Sequence, residues 1–304
     1  MSKITFAAFA ALAVVCATKS ARAQMADSTV SFTYERTTLG LEQPKSSDTK
    51  DSMGVQTFRF RAGYPIPLGP KTILSPGLSY DLVDFPKATS RGLPTDPLHA
   101  PTASLAMTQL IGDHVVVAGA VAAGLASDFQ EKVSVDDLAF NVSLAAMYRF
   151  SSSFSLGMGV AYMRQTRMFF PAPIIAVNWE PSERFRIRGG APVLNVDYRA
   201  TPWLTVGLRA AFEGNVFHLG GQKDGQKDVQ FSYMTIQTGP KATINLSDST
   251  HLDLYASATP MRRFEYFVDG TSKRDGYLPV VVGLGARLWF GSEGWRSNPW
   301  APAK

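Results

Sequence analysis

An alternation of apolar and polar residues dominates the chain after residue 28. In its clearest stretch, one parity holds Phe140, Val142, Leu144, Ala146, Tyr148 and Phe150, and the other holds Asn141, Ser143, Ala145, Met147 and Arg149. Successive side chains of a β-strand point to opposite faces of the sheet. The period of two therefore predicts strands that lie between two different environments.

Fourteen segments carry this pattern and are predicted as strands. They are residues 28–38, 53–65, 71–83, 101–111, 114–126, 137–150, 153–166, 168–180, 183–190, 192–200, 203–216, 228–246, 250–267 and 276–290. The sequence Gly189-Gly190-Ala191-Pro192 is interpreted as a tight turn, although a kink within one strand would give thirteen strands and further merging would give twelve. An even number of antiparallel strands is typical of bacterial outer-membrane barrels.

The connections between these segments alternate in length. Tight links fall at 111–114, 151–153, 180–183, 200–203 and 247–250, and wider links fall at 39–52, 84–100, 127–136, 217–227 and 268–275. Short periplasmic turns and longer external loops alternate in this way around a transmembrane barrel. The fold class predicted is all-β, a transmembrane antiparallel β-barrel of about fourteen strands.

Aromatic residues and the lack of a long apolar run agree with this fold. Trp179 and Trp203 flank two of the tight links, as the aromatic girdle of a barrel would, and further aromatic residues near tight links are Tyr148, Phe150, Phe154 and Tyr198. The longest apolar run after the N-terminus, residues 115–126, is shorter than the roughly 20 residues that a spanning helix needs. A soluble all-β protein with ordinary core aromatics is the alternative.

The N-terminus predicts export. Residues 1–23 combine Lys3, an apolar stretch and the end Ala21-Arg22-Ala23, which together indicate a signal peptide. The domain prediction is therefore a signal peptide at 1–23, a barrel at 24–290 and a C-terminal tail at 291–304. Cys16, the one cysteine, would be removed with the signal, which excludes disulfides and cysteine-based sites from the mature chain.

Cleavage also changes the charge balance. It removes Lys3, Lys19 and Arg22 from a chain of formal net charge +5, which leaves +2. Nucleic acid is therefore not expected as a partner.

Two resemblances add to the pattern. Gly283-Leu284-Gly285-Ala286-Arg287-Leu288-Trp289-Phe290 resembles the last-strand recognition signal of bacterial outer-membrane barrels, although a polar residue is usual at Gly283 and here a tail follows Phe290. This resemblance implies insertion by the barrel-assembly machinery. Phe170-Pro171 leading into residues 174–179, residues 192–198 and residues 203–219 together resemble an uncharacterised family of bacterial outer-membrane β-barrel proteins. That resemblance implies the barrel fold, surrounding outer-membrane lipid and a Gram-negative outer-membrane location, and it implies no activity.

If the apolar parity faces lipid, the other parity lines the lumen. The inward set predicted in this way comprises Arg59, Arg61, Arg149, Arg186, Arg188, Arg209 and Arg287, with the acids Glu35, Asp81 and Asp253. Because arginine and lysine rings bias pores toward anions, this set suggests passive transport or binding of a small anionic solute. The alternative is a structural network in a closed structural or surface-interaction barrel, since a charge facing lipid costs about 2–4 kcal/mol whatever the function.

Part of the predicted inner wall is small and apolar. The inward residues there are Val116, Ala118, Ala120, Ala122, Gly124, Gly157, Gly159, Ala161 and Met163. Either a loop folds inward and packs on this wall, or the wall lines a route for a hydrophobic ligand.

No pattern for catalysis or metal binding is present in the sequence. His99 and His218 lie at the external level where barrel enzymes act, but neither has a nucleophile at a suitable spacing, and motifs of the G-x-S-x-G and H-E-x-x-H type are missing. Asp224 and Asp228 do not follow calcium-loop spacing. We therefore expect no enzyme, cofactor or metal, with an outer-leaflet lipid-modifying enzyme as the less favoured alternative.

Overall fold

The structure, a computed structural model, describes residues 29–40, 55–85, 94–165, 168–190, 192–220, 229–268, 271–277 and 281–291. The predicted signal peptide at 1–23 lies outside these residues, as does the predicted tail beyond Gly291. Within the described part, no helix is both long and apolar enough to cross a membrane.

Sixteen strands and one short helical turn make up the described chain. The strands are β1 Thr29–Gly40, β2 Val55–Gly63, β3 Ile66–Gly69, β4 Thr72–Asp84, β5 Leu98–Ile111, β6 Val115–Leu125, β7 Leu138–Arg149, β8 Phe154–Gln165, β9 Met168–Trp179, β10 Phe185–Gly190, β11 Val193–Thr201, β12 Leu204–Leu219, β13 Val229–Ser247, β14 Thr250–Val268, β15 Thr271–Tyr277 and β16 Val281–Phe290. A 3₁₀ turn at Val135–Asp137 precedes β7.

These strands form a single antiparallel sheet that closes on itself. The order runs from β13 back through β12, β11 and their predecessors to β2, β1, β16 and β14, and the pairing of β13 with β14 joins the two ends. Residues 250–259 of β14 pair with β16 and residues 263–268 pair with β15, so β15 and β16 occupy one place. Since β3 pairs only with β4, the ring of described strands has fourteen places, which confirms the predicted barrel.

The turn at Gly189-Gly190 is a true strand reversal. The strands on either side of it, β10 and β11, pair with each other in antiparallel register. Gly189 and Gly190 have φ values of +115° and +159°, and a Cβ on Gly190 would lie 1.6 Å from the carbonyl oxygen of Ile175. The interpretation as a turn is therefore confirmed, and glycine is required by both conformation and space.

Three of the wide links are shorter than the sequence predicted. β5 begins at Leu98 and β12 continues to Leu219, because the apolar inward residues at these strand ends are buried in the barrel and the backbone stays extended around them. Most of the link predicted at 268–275 is strand β15, which pairs with β14.

The outer face of the barrel exposes large apolar side chains. On β7 the apolar parity is exposed, with Leu144 58% accessible, whereas the polar parity is half-buried. Trp179, Tyr198 and Trp203 are exposed near one rim, where Tyr148 and Phe150 also pack with ring centroids 4.8 Å apart. An apolar outer surface with an aromatic band at its rim is typical of a barrel in lipid.

Two ends of the barrel are distinguished by their connections. The end that holds links 126–137 and 220–228 is named the loop end, and the end that holds links 112–114, 150–153, 202–203 and 248–249 is named the turn end.

The parity of the inward-facing residues changes within strand β14, between these two ends. In a regular strand, residues three apart point to opposite faces. Thr259 and Arg262 are nevertheless both buried, because the register with β13 shifts between Ile236 and Thr238.

Candidate functional site: the barrel interior

The loop half of the interior is filled by apolar side chains. The apolar plug, as we name it, consists of Val55, Val83, Phe85, Leu98, Ala126, Phe217, Leu219, Val229, Phe231 and Phe264. Phe217, Phe231 and Leu98 are 0% exposed. The ring of Phe231 meets Phe85 edge-on at 5.5 Å and Tyr266 at 5.0 Å between centroids. Side chains at strand ends from both sides of the ring therefore converge on one apolar core.

A non-strand segment crosses the lumen at the same level. In residues 126–137, named the crossing segment, Ser127 exchanges two backbone hydrogen bonds with His99 on β5, of 2.8 and 3.0 Å. On its other side, the N–H of His218 on β12 donates to the carbonyl of Ala126 at 2.9 Å. Since β5 and β12 lie on opposite sides of the ring, the segment bridges the barrel. A loop therefore does fold inward, and its described backbone hydrogen bonds to strands are with β5 and β12 rather than with the small apolar wall predicted on β6 and β8.

Polar side chains hold the crossing segment in place. Asp137 pairs with the Nδ1 atom of His218 at 2.8 Å and accepts a hydrogen bond from the N–H of Ser134 at 2.6 Å. Asp128 accepts from the N–H groups of Gly220 at 2.9 Å and Gln130 at 3.2 Å. Burial raises the pKa of the Asp128 carboxyl, and these two N–H groups oppose the rise. The segment is thus fixed to β12 and its following residues.

An ion-pair bridge lies just below the plug. Both terminal nitrogens of Arg59 on β2 donate to the Glu213 carboxylate on β12, one of them at 2.8 Å, and Arg209 donates to the same carboxylate at 3.1 Å. The strands β2 and β12 do not pair, so this contact spans the lumen. Beside it lies a cavity of about 20 Å³, lined in part by Gln237 and Thr235, which has room for one water molecule.

Two strands that do not pair also approach each other on the inner side of the barrel. β8 and β12 come within contact distance of each other, and each carries a small buried inward residue, Ala161 and Ala211. The small side chains that the sequence places inside β8 allow this approach.

The turn half of the interior is charged. Asp197 on β11 lies 3.6 Å from Arg186 on β10 and 2.8 Å from Lys241 on β13, and all three side chains are largely buried. Asp253 accepts a hydrogen bond from the Thr243 hydroxyl at 2.6 Å and stands opposite Arg287 in the β14–β16 pairing. The guanidinium of Arg287 lies over the ring of Trp289, 5.7 Å from its centroid.

Two predicted lumen arginines are open to solvent. The Arg61 side chain is 61% exposed and only reaches Asp81 at 3.9 Å, and Arg188 is also exposed. Both share the inward parity of the more buried neighbours Arg59 and Arg186, so their side chains meet solvent on the inner side of the sheet. Arg149 ends β7 half-buried, and the side chain of Glu35 on β1 lies outside the described residues.

Cations outnumber acids at the inward positions of the described strands. The cations are Arg59, Arg61, Arg149, Arg186, Arg188, Arg199, Arg209, Lys241, Arg262 and Arg287, and the acids with described side chains are Asp81, Asp197, Glu213 and Asp253. The sequence prediction omitted Glu213, Asp197, Arg199, Lys241 and Arg262. Glu213 shares the parity of Arg209 four residues earlier and was detectable, whereas Arg262 was hidden by the parity change in β14.

The histidines are each engaged in structural contacts. His99 is hydrogen-bonded to the Tyr80 hydroxyl at 2.7 Å, and His251 stacks on Trp289 at 4.0 Å. The Ser127 hydroxyl, although next to both His99 and His218, accepts from the N–H of Phe129, and no described hydrogen bond joins it to either ring. Among the described residues, no group of His, Cys, Asp and Glu could hold a metal ion.

Comparisons with known proteins complete the description. A protein-family profile described as "Domain of unknown function (DUF6268)" matches residues 76–273. No curated protein matches the chain. Similar solved structures include the COG4313 outer membrane channel from Pseudomonas putida F1, with 10% identity, a TM-score of 0.40 and coverage of 87% of this chain and 95% of that one.

Two further similar structures are outer-membrane-type β-barrels of the same order of similarity. LpxR from Salmonella typhimurium has 10% identity and a TM-score of 0.38, with 86% of this chain and 99% of that one covered. The toluene transporter TodX from Pseudomonas putida has 7% identity and a TM-score of 0.38, with 88% and 89% covered. Similarity at this level carries no information about activity.

Proposed function

The chain belongs to the DUF6268 family of unknown function, and since membership brings no activity, we propose from the geometry that the protein is an outer-membrane barrel that binds or passively passes a small anionic solute. The observation that carries this proposal is the pair of solvent-accessible inward arginines, Arg61 and Arg188, in an interior where cations exceed acids. Accessible guanidinium groups attract anions because they are always charged and present several donors.

The proposed orientation follows from the two rims. Short turns face the periplasm and long loops face outward in bacterial barrels, so the turn end is periplasmic and the loop end is external. The charged half of the lumen then opens toward the periplasm. The apolar plug and the crossing segment then close the external half.

In this proposal the described state is the closed one. The crossing segment is the element that moves, because it has no strand pairing beyond the bridges near Ser127 and is held by a few polar contacts. Opening requires these contacts to break and the plug to rearrange. We therefore expect rare openings rather than the steady conductance of a general porin.

A closed structural barrel is the second candidate. It is favoured by the Arg59–Glu213 bridge and by the fully buried phenylalanines, which fill the external half as a protein core would. In that case the inward cations only balance acids and stabilise the wall. Recognition at the external loops would then be the function.

Planar-bilayer recording separates the two candidates. The transport proposal predicts openings with anion selectivity, measured as a reversal potential in a salt gradient, that weakens in the double variant Arg61→Gln/Arg188→Gln. Arg263→Gln is the matched control, because Arg263 has the outward parity and pairs with Glu265 at 3.0 Å. A correctly folded barrel that never conducts at any voltage supports the structural candidate and contradicts transport.

The location is tested separately. An outer-membrane barrel fractionates with outer membranes and, when it is not boiled, migrates differently on gels. Depletion of the barrel-assembly machinery should reduce the folded form. Recovery of the protein as a soluble periplasmic species would contradict the proposed location.

A further inference from the structure

One row of the inner wall carries hydrogen-bond donors and no acid. Six inward residues of β7 to β12 stand side by side across the sheet, in the order Arg149, Ser155, Asn178, Arg188, Asn195 and Arg209. Neighbouring strands are about 4.8 Å apart, so a donor side chain recurs at about this interval along the row. We name this row, with its three guanidinium groups, two amides and one hydroxyl, the donor track.

The donor track rises from the turn end into the lumen. Arg149 is the last residue of β7, at the turn end, whereas Arg209 lies five residues beyond Leu204, the first residue of β12. A row of paired residues climbs in this way because the strands of a membrane barrel are tilted by about 35–45°. At the upper end of the row, Arg209 donates to Glu213 at 3.1 Å, and Glu213 also binds Arg59. The track therefore leads from the turn end to the ion-pair bridge.

The rows on either side do not neutralise the track. On the turn side, Asp197 lies 3.6 Å from Arg186 and 2.8 Å from Lys241, so this acid already has two cationic partners. On the loop side, the neighbouring inward residues of β7 to β10 are small or apolar, namely Met147, Gly157, Ala176 and Gly190. These residues carry no charge, and three of them place little or no side chain over the wall.

Solvent reaches the centre of the donor track. The Arg188 side chain is exposed, and its neighbours Asn178 and Asn195 are half-buried. No ion pair or side-chain hydrogen bond joins Arg188 to another described residue. A guanidinium group is planar and presents paired donors that match two oxygen atoms of one anion. Arg188 is therefore both accessible and suited to an oxyanion rather than to a halide.

We propose that the donor track binds a small oxyanion, centred on Arg188, and guides it from the turn end toward Arg209. This inference rests on the proposed function and adds a substrate class to it, namely an anion with two or more acceptor oxygens. The Arg188 guanidinium binds two of these oxygens, and the amides of Asn178 and Asn195 donate to the anion from either side. Arg61 on β2 lies outside the track and does not contact the anion.

Calorimetric titration of the full barrel in detergent measures this site without requiring conduction. Sulfate, added at constant ionic strength in sodium chloride, should bind with saturating heat. Arg188→Gln should weaken sulfate binding about tenfold or more, the loss expected when charge-assisted hydrogen bonds are removed. Asn178→Leu should weaken it by about threefold, as expected for one neutral hydrogen bond.

Two further variants separate a specific site from general positive charge. Arg188→Lys keeps the charge but removes the paired donors, so it should lose most of the sulfate affinity. Arg61→Gln is the matched control, because it makes the same replacement at an exposed inward arginine outside the track. It should change sulfate affinity by no more than about twofold, since it removes only a distant, screened charge. Unboiled gel mobility verifies that each variant is folded.

The outcomes distinguish failure of the track from failure of the proposed function. Equal loss of sulfate binding in Arg61→Gln and Arg188→Gln overturns the track and leaves a general attraction for anions. A folded barrel that binds none of sulfate, phosphate and acetate also overturns the track. If such a barrel still shows anion-selective openings in planar bilayers, the proposed function stands without the track. If it neither binds an anion nor conducts, both proposals are wrong.

Discussion

Replacing Glu213 by glutamine tests the ion-pair bridge across the lumen. Glu213 is 14% exposed, and its two cationic partners, Arg59 and Arg209, are 17% and 20% exposed. Glutamine keeps the shape and one acceptor oxygen but removes the charge, which leaves two largely buried guanidinium groups without their anion. Removing one partner from a buried ion pair typically costs about 3–5 kcal/mol.

Urea unfolding of the barrel in detergent, followed by tryptophan fluorescence, measures this cost. Asp81→Asn is the matched acid-to-amide control, because its partner Arg61 is 3.9 Å away and 61% exposed. Asp81 itself is 17% exposed, but because it lies 3.9 Å from a solvent-exposed guanidinium, this ion pair should contribute no more than about 1 kcal/mol. If Glu213→Gln and Asp81→Asn reduce the free energy of unfolding by the same small amount, the cross-lumen bridge does not stabilise the barrel as argued.

Three further changes probe the plug, the wall and the crossing segment. Phe231→Ala removes a fully buried ring of the plug and should reduce the free energy of unfolding by about 3–5 kcal/mol, measured in urea; a loss below 1 would mean that the plug is loosely packed. Gly239→Ala places a Cβ 2.0 Å from a carbonyl oxygen of β14 and should destabilise the barrel by about 1–3 kcal/mol. The control is Gly69→Ala, where the space around the new Cβ is open; it should leave the gel mobility and the urea midpoint unchanged. Asp137→Ala removes the partner of His218 and should speed protease cleavage within the crossing segment while the barrel stays folded; an unchanged cleavage rate would show that this ion pair does not hold the segment.

Most of the barrel could be predicted from the sequence because the alternation within each strand indicates which side chains face lipid and which face the lumen. The parity of Phe140 and its neighbours identified the lipid side, and the tight turn at Gly189-Gly190 was predicted from residue types that tolerate positive φ. Both are local properties. Alternation along a strand and turn chemistry depend on residues only a few positions apart.

The arrangement of the interior could not be predicted in the same way. Parity places Arg59 inside but does not say which strand stands opposite, and its partner Glu213 lies 154 residues away. The change of face before Arg262 arises from an irregular register that no alternation reveals. The crossing segment is polar in sequence, and its inward position depends on backbone hydrogen bonds to β5 and β12. The closure of the loop half is therefore a tertiary property.

A reversible disulfide across the crossing segment tests the central claim most directly. His99 and Ser127 form a hydrogen-bonded antiparallel pair, for which a Cα separation of about 5.5 Å is usual and suits a disulfide. With the signal peptide removed, His99→Cys/Ser127→Cys would carry the only two thiols. In planar bilayers the reduced double variant should show rare, anion-selective openings like the two single variants, oxidation should abolish them, and a reductant should restore them. Openings that continue unchanged after complete oxidation, or a folded barrel that never opens in the reduced state, would contradict the account.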